Sequence, residues 1–274
     1  MSSTAVTTVD GHQFTVRSYG TGPGVVVVHG SVVWGRDYVR LALMLAPRLT
    51  VHLYDRFGRG ERPSLDGVGY STEREIRDLT AVLERTGARM LIGHSYGGYV
   101  AAQAARTLPV DRLALFDPLI SIGHNLPADW ITPFMSAVAA DQPAQAFTIA
   151  STGLEVAGLV SRLPSGAQEQ IAKALLAIPT GRRWRSSLPV TIAEMREVLA
   201  HSSDGTEYGQ IVAETWIGEA GNGPEHYRTT CRLLAGLVPG AQLETFANIN
   251  HSGLILPVPT VAMRMASFLA GESG

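Results

Sequence analysis

Residues 90 to 108, MLIGHSYGGYVAAQAARTL, leave almost no chain for a reversal of direction. Met90 to Gly93 read as the end of a buried strand, and an alanine-rich helix follows from Tyr96 with no linker between. Ser95 therefore falls on an abrupt turn, with Gly93 two residues before it and Gly97 two after. Such a reversal forces the central residue into strained dihedrals, and flanking glycines remove the side chains that would collide with it. The serine hydroxyl is then lifted clear of the sheet at the positive end of the helix. A serine that only caps a helix has no need of glycine on both sides.

The surrounding chain supplies the sheet that such a turn requires. The run GVVVVH at 24–29 is continuously β-branched, as a strand covered on both faces must be. Strand-like segments at 49–55, 90–93 and 112–117 alternate with helix-like ones at 37–47, 71–87 and 96–108. Ser71 and Gly87 mark the two ends of the helix at 71–87. This alternation means βαβ units and a parallel sheet with helices on both faces. Residues 12–20 suit an early antiparallel strand. After Pro118 no strongly β-branched run occurs until 210–218, and 119–207 reads as several short helices, the last of them opening at Pro189. A helix at 224–238, a strand at 241–246 and a helix at 260–271 complete the chain. The expected organisation is one α/β catalytic domain in three stretches. Residues 1–118 and 208–274 build the sheet, and 119–207 form a helical lid insertion.

Composition narrows the partners. Hydrophobic residues make up 45% of 274 residues and the formal net charge is −2, without the clustered Lys and Arg that nucleic acid or an acidic membrane calls for. The densest basic group, GRRWR at 181–185, reads as a loop or helix end. The single cysteine, Cys231, sits at helical spacing as a core residue, so an oxidising compartment is not required. The amino terminus has neither a basic nor an apolar targeting region, and the apolar runs are too short to span a bilayer. A cytoplasmic protein acting on a small hydrophobic molecule is expected, without nucleic acid or membrane as partner. Neither a dinucleotide fingerprint, a P-loop nor a zinc-spaced Cys/His cluster is present, so no cofactor and no metal is expected.

Ser95 needs a base. His251, five residues beyond the strand ending at Phe246 and just ahead of the last helix, is placed for that work, because a serine hydroxyl is a poor nucleophile until an imidazole takes its proton. Backbone N–H donors for an oxyanion are expected from Tyr96, directly after the serine, and from Ser31 in the turn after VVVVHG.

The combination of VVVVHGS, YDRFGRG, GHSYGG and NH resembles the α/β-hydrolase superfamily, of the lid-bearing serine esterase and cofactor-free haloperoxidase-like kind, over residues 9 to 271. The resemblance implies a central eight-stranded, mostly parallel sheet and a nucleophile–acid–histidine triad in chain order. It implies that His29 and His94 shape the site without acting as base, and that the segment at 54–63, with its Asp55, is a structural turn. Many members carry an aspartate three residues after the glycine that ends strand seven, but here that position is Gly221. Two acids remain: Asp117, at the end of the sixth strand, and Glu219, one residue past Gly218. Asp117 is preferred, with Glu219 open.

The insertion is rich in apolar side chains, and Trp130, Phe134 and Met135 from it, with Trp34, are expected to wall a pocket over Ser95; Phe147, Leu154 and Trp184 are further candidates. The function that follows is a serine hydrolase cleaving a small-to-medium hydrophobic carboxylic ester, thioester or lactone through an acyl-enzyme. A non-hydrolytic lyase or cyclase, or a ligand-binding protein on the same fold, is the alternative.

Overall fold

A computed structural model describes residues 1–8, 11–60 and 69–272, so the last three residues of the segment at 54–63 lie outside the described residues. Eight strands form one sheet: β1 (Ser2–Thr7), β2 (Gln13–Tyr19), β3 (Gly24–Val28), β4 (Thr50–Leu53), β5 (Met90–His94), β6 (Arg112–Phe116), β7 (Glu214–Ala220) and β8 (Gln242–Phe246). Their order across the sheet is β1-β2-β4-β3-β5-β6-β7-β8. β1 and β2 pair antiparallel, β2 meets β4 antiparallel, and every later neighbour pair is parallel. The mostly parallel α/β sheet is as the sequence implies. β1 was not expected from sequence: it is a polar edge strand in which only Val6 is buried, so it lacks the apolar alternation that betrays a half-buried strand.

The central strand shows why both faces must be covered. Val26 and Val28 of β3 belong to one apolar layer, and Val25 and Val27 to the other, because successive side chains point to opposite faces. Helices α1 (Val39–Leu45) and α9 (Pro259–Ala270) cover one face. Helices α2 (Thr72–Thr86), α3 (Tyr96–Ala105) and α8 (Glu225–Leu237) cover the other, with Cys231 fully buried in α8. The Ser71 hydroxyl accepts the Arg74 N–H at the start of α2, and Gly87 ends it at φ 68°.

Between β6 and β7 the chain runs through α4 (Ile131–Ala139), α5 (Pro143–Gly153), α6 (Ser165–Ala177) and α7 (Pro179–Ala200), which pack on one another. A parallel bridge between Ile122 and Ser203 draws the two ends of this stretch together. The helix expected to open at Pro189 begins at Pro179 instead and takes in residues 181–185. Pro189 lies inside it on the exposed side, and Ser187, Leu188, Val190 and Thr191 beside it are buried. Proline removes one hydrogen bond from a helix interior, and the buried neighbours offset that loss by tertiary packing.

α7 is tied to the sheet by a fully buried ion cluster. Arg56, just past β4, donates to Glu75 of α2 at 2.7 Å and to Glu194 of α7 at 2.5 Å, and Arg59 reaches Glu194 at 2.7 Å. Burial opposes the charge on Glu194, but Arg59 and Arg56 outweigh it and hold the carboxyl below its ordinary pKa. Glu194→Ala removes the carboxylate that Arg56 and Arg59 share and leaves both guanidiniums buried with that charge uncompensated. The expected loss of stability is about 3–5 kcal/mol, to be measured by urea denaturation.

Candidate active site

Ser95 sits between β5 and α3 at φ 54° and ψ −127°, a conformation that a non-glycine residue rarely holds. What makes it possible is missing side chains. A Cβ on Gly97 would lie 2.0 Å from the Val28 carbonyl oxygen, and one on Gly93 would lie 2.7 Å from Gly98 Cα. The backbone is held there by the Ser95 N–H donating to Phe116 O at 3.2 Å and by Leu119 N–H donating to Ser95 O at 2.9 Å. Both anchors lie at the end of β6, so the same strand end fixes Ser95 and Asp117.

Asp117 follows β6 directly, fully buried and at φ 40°. Its N–H donates to Gly218 O at 3.1 Å, and its Oδ1 accepts the Ala220 N–H at 3.0 Å. Its Oδ2 lies 3.1 Å from His251 Nδ1. A carboxylate only accepts, so Nδ1 carries the proton of a neutral His251 ring and Nε2 is left with a lone pair. Glu219, the other acid considered, is not in a loop: β7 runs two residues past Gly218, and Glu219 is the strand's penultimate residue. Its buried carboxylate receives Arg232 at 3.1 Å and the Thr245 hydroxyl at 3.4 Å, and its hydrogen bonds do not involve His251.

Ser31 lines the same cavity as the serine, and Tyr96 follows it directly in the chain. A Cβ on Gly30 would stand 3.1 Å from Ser95 Cβ, so the turn after β3 passes right beside it. That turn is also strained: Val32 is at φ 66°, and the Val33 N–H closes back on Ser31 O at 2.7 Å. Tyr96 opens α3, where the first N–H groups have no partner within the helix. Its side chain turns away, its hydroxyl accepting from Tyr70 at 2.8 Å.

Two further imidazoles brace the site. Tyr38 accepts the Gly30 N–H at 3.1 Å and donates to His94 Nδ1 at 2.5 Å, and His94 Nε2–H donates to the His251 carbonyl at 2.9 Å. His29 donates from Nδ1 to Gly30 O at 2.9 Å and accepts the Arg56 N–H at Nε2. Both rings use one nitrogen as donor and one as acceptor, as only a neutral imidazole can, and burial pushes both pKa values well down.

A cavity of about 320 Å³ opens over Ser95. Gly30, Ser31, His94, Tyr227 and His251 line its floor, Val32, Val33, Ser252 and Ile255 add to its sides, and side chains of the stretch between β6 and β7 form the rest, with no Asp, Glu, Lys or Arg among the lining residues. Phe147, Leu154 and Trp184 are among them, Phe147 and Trp184 stacking with planes 5° apart. The four side chains expected to wall it do not. Trp34 lines a separate cavity of about 170 Å³ beside Phe14 and Asp55, because its indole N–H donates to Ser187 at 2.9 Å and Arg183 lies over its ring. Trp130 and Phe134 pack on each other inside the helical stretch. Gly153 lets α5 close on Trp130, and the Trp130 indole N–H donates to Pro127 O. Met135 is half-buried with its sulfur beside Arg196 of α7. Among the described residues no group of three or more His, Cys, Asp or Glu side chains is placed to hold a metal ion, and no helix is long and apolar enough to cross a membrane.

Tyr227, from α8, is the site residue that sequence did not single out. Its hydroxyl lies 3.5 Å from Ser95 Oγ, and its ring stacks on His251. The segment GNGPEHY belongs to no motif in the chain, so nothing local marks it.

Known proteins share this architecture. Lipase LipV of Mycobacterium tuberculosis is 28% identical over 190 residues, 67% of this chain and 70% of that protein. A pimeloyl-[acyl-carrier protein] methyl ester esterase of Aeromonas salmonicida is 35% identical over 95 residues, 35% of this chain and 37% of the esterase. The crystal structure of an alpha/beta hydrolase from Sphaerobacter thermophilus superposes with a TM-score of 0.78 at 28% identity, over 97% of this chain and all of that one. The sequence profile of the alpha/beta hydrolase family matches residues 25–262, from β3 into α9, and the chain belongs to that family.

Proposed function

We propose that this chain is a serine hydrolase acting on a small-to-medium hydrophobic carboxylic ester, thioester or lactone. The observation that carries the reading is the Asp117–His251 hydrogen bond beside a serine held in a strained turn under an apolar cavity. Ser95 Oγ attacks the acyl carbon as its proton passes to His251 Nε2, and Asp117 holds the imidazole in the tautomer that can take it. The backbone N–H groups of Tyr96 and Ser31 receive the oxyanion, and the strain at Val32 is the local distortion that aims the second of them. Water then releases the acyl group. Without Asp, Glu, Lys or Arg in its lining, the cavity favours an uncharged acyl or ring system over an anionic one. The names of the relatives, a lipase and a methyl ester esterase, support an ester as substrate.

The site is proposed to work without a cofactor, in a soluble, cytoplasmic setting, with the stretch at 119–207 as its lid. A second reading has one observation behind it: the hydrogen-bond partner of the Ser95 hydroxyl here is Tyr227. A lyase, cyclase or binding protein would use the cavity and the oxyanion donors without acylating Ser95.

Intact-mass analysis after exposure to a fluorophosphonate separates the two. The hydrolase reading expects one adduct on the parent and none on Ser95→Ala, and a folded parent that takes no adduct removes acyl-enzyme chemistry.

The acid is tested by turnover. Asp117→Asn should lower kcat by about 10,000-fold, the scale on which a triad loses its tautomer control. Glu219→Gln should lower the melting temperature while turnover of the folded fraction stays near that of the parent. A loss of kcat with Glu219→Gln and not with Asp117→Asn would reverse the assignment.

A further inference from the structure

Tyr227 is fully buried as a residue and yet lines the cavity over Ser95. Its ring lies against His251 with centroids 4.2 Å apart and planes at 22°, and its hydroxyl is 3.5 Å from Ser95 Oγ. The oxyanion donors come from the ends of β3 and β5, whereas Tyr227 comes from α8 and lies against the imidazole. We propose that Tyr227 is a catalytic residue of the hydrolysis described above, its phenol donating a hydrogen bond to the leaving-group oxygen. The proposal rests on the serine-hydrolase reading and extends it to the breakdown of the intermediate.

The chemistry follows from where the charges go. As the Oγ–carbon bond forms, the Oγ proton moves to His251 Nε2 and the carbonyl electron pair moves to the oxyanion. On collapse that pair returns to the carbonyl, the carbon–leaving-oxygen bond breaks, and the proton on His251 passes to the departing oxygen. The leaving oxygen is bonded to the same carbon as Oγ and must face the imidazole to receive that proton. A phenol stacked on the imidazole and within reach of Oγ is within reach of this oxygen as well. It donates while charge builds there, keeps its own proton, and adds nothing to the proton balance. Burial pushes the Tyr227 phenol pKa up, so it stays a neutral donor at ordinary pH.

A donor to the leaving oxygen matters most where that oxygen carries much charge. An ethyl ester expels an alkoxide, while a p-nitrophenyl ester expels an anion already spread over its ring. Tyr227→Phe keeps the stacked ring and removes only the hydroxyl. With ethyl butyrate, kcat/KM should fall by about 100-fold, the scale of losing one such donor. With p-nitrophenyl butyrate, which carries the same acyl group, the loss should be about tenfold smaller, and the fluorophosphonate should still label Ser95. Equal losses on both esters with slowed labelling would mean that Tyr227 only packs His251 in place, and would overturn the proposal, as would no loss on either. The parent alone provides a second measurement. Across aryl and alkyl butyrates, kcat/KM should depend weakly on leaving-group pKa, and a steep dependence counts against a shared charge. A parent that takes no label at all would fail the hydrolase reading first, a result distinct from any of these.

Discussion

The site depends on one close approach, that of α3 to the end of β3. Gly97 brings its backbone against the Val28 carbonyl, where a Cβ would stand at 2.0 Å, and Gly30 passes beside Ser95, where one would stand 3.1 Å from the serine Cβ. A methyl group on Gly97 would push α3, and the serine at its start, away from the end of β3 and the turn that carries Ser31. Core packing at near-crystalline density cannot absorb such a shift locally. The strain at Ser95 and Val32 is therefore held by the sheet: β3, β5 and β6 lie side by side, and hydrogen bonds from the end of β6 pin the serine on both sides.

A second layer lies beneath that contact. Arg56 donates through Nε to the His29 carbonyl at 2.8 Å and through its other nitrogens to Glu75 and Glu194. One guanidinium thus joins the turn after β3, the start of α2 and the middle of α7. An isolated buried charge would be far too costly, so the cluster exists only when all its members are assembled. The helix carrying Glu194 also presents Thr191 and Trp184 to the cavity. Any displacement of α7 that enlarged the cavity would pull Glu194 away from Arg56 and Arg59. The fixed part of the cavity wall and the turn after β3 are thereby the same structural unit.

How much of this was legible in the sequence follows from how local each signal is. Ser95 was legible because a strand, two glycines and a helix fall within a dozen residues. His251 and the turn after β3 were legible from their places after strands. Asp117 against Glu219 turned on where β7 ends, and the apolar run that marks that strand does not say that Glu219 is still inside it. β1 escaped because an edge strand need not be apolar, and the length of α7 because Pro189 normally marks a start rather than an interior position. The pocket wall was the least legible. Trp130, Phe134 and Trp184 all sit at helical spacing in apolar surroundings, yet only Trp184 faces the cavity. Which face of a helix meets a cavity and which meets another helix depends on packing between segments far apart in the chain, and no local pattern records it.

Histidines crowd this site, and their environments divide them. His29 and His94 each satisfy both ring nitrogens through the core and are kept neutral by burial. Next to Tyr227, burial pushes His226 down to about 4. A proton arriving near Ser95 therefore finds these three rings unfavourable, because burial opposes the charge on each and the carboxylate beside His226, that of Glu155 at 3.7 Å from Nδ1, is itself exposed to solvent. His251 differs: its Nδ1 lies 3.1 Å from the fully buried carboxylate of Asp117, and its ring remains partly open to the cavity. The neutral rings are then more than filler. By bonding to the Gly30 N–H through Tyr38 and to the His251 carbonyl, His94 fixes the distance between the turn after β3 and His251.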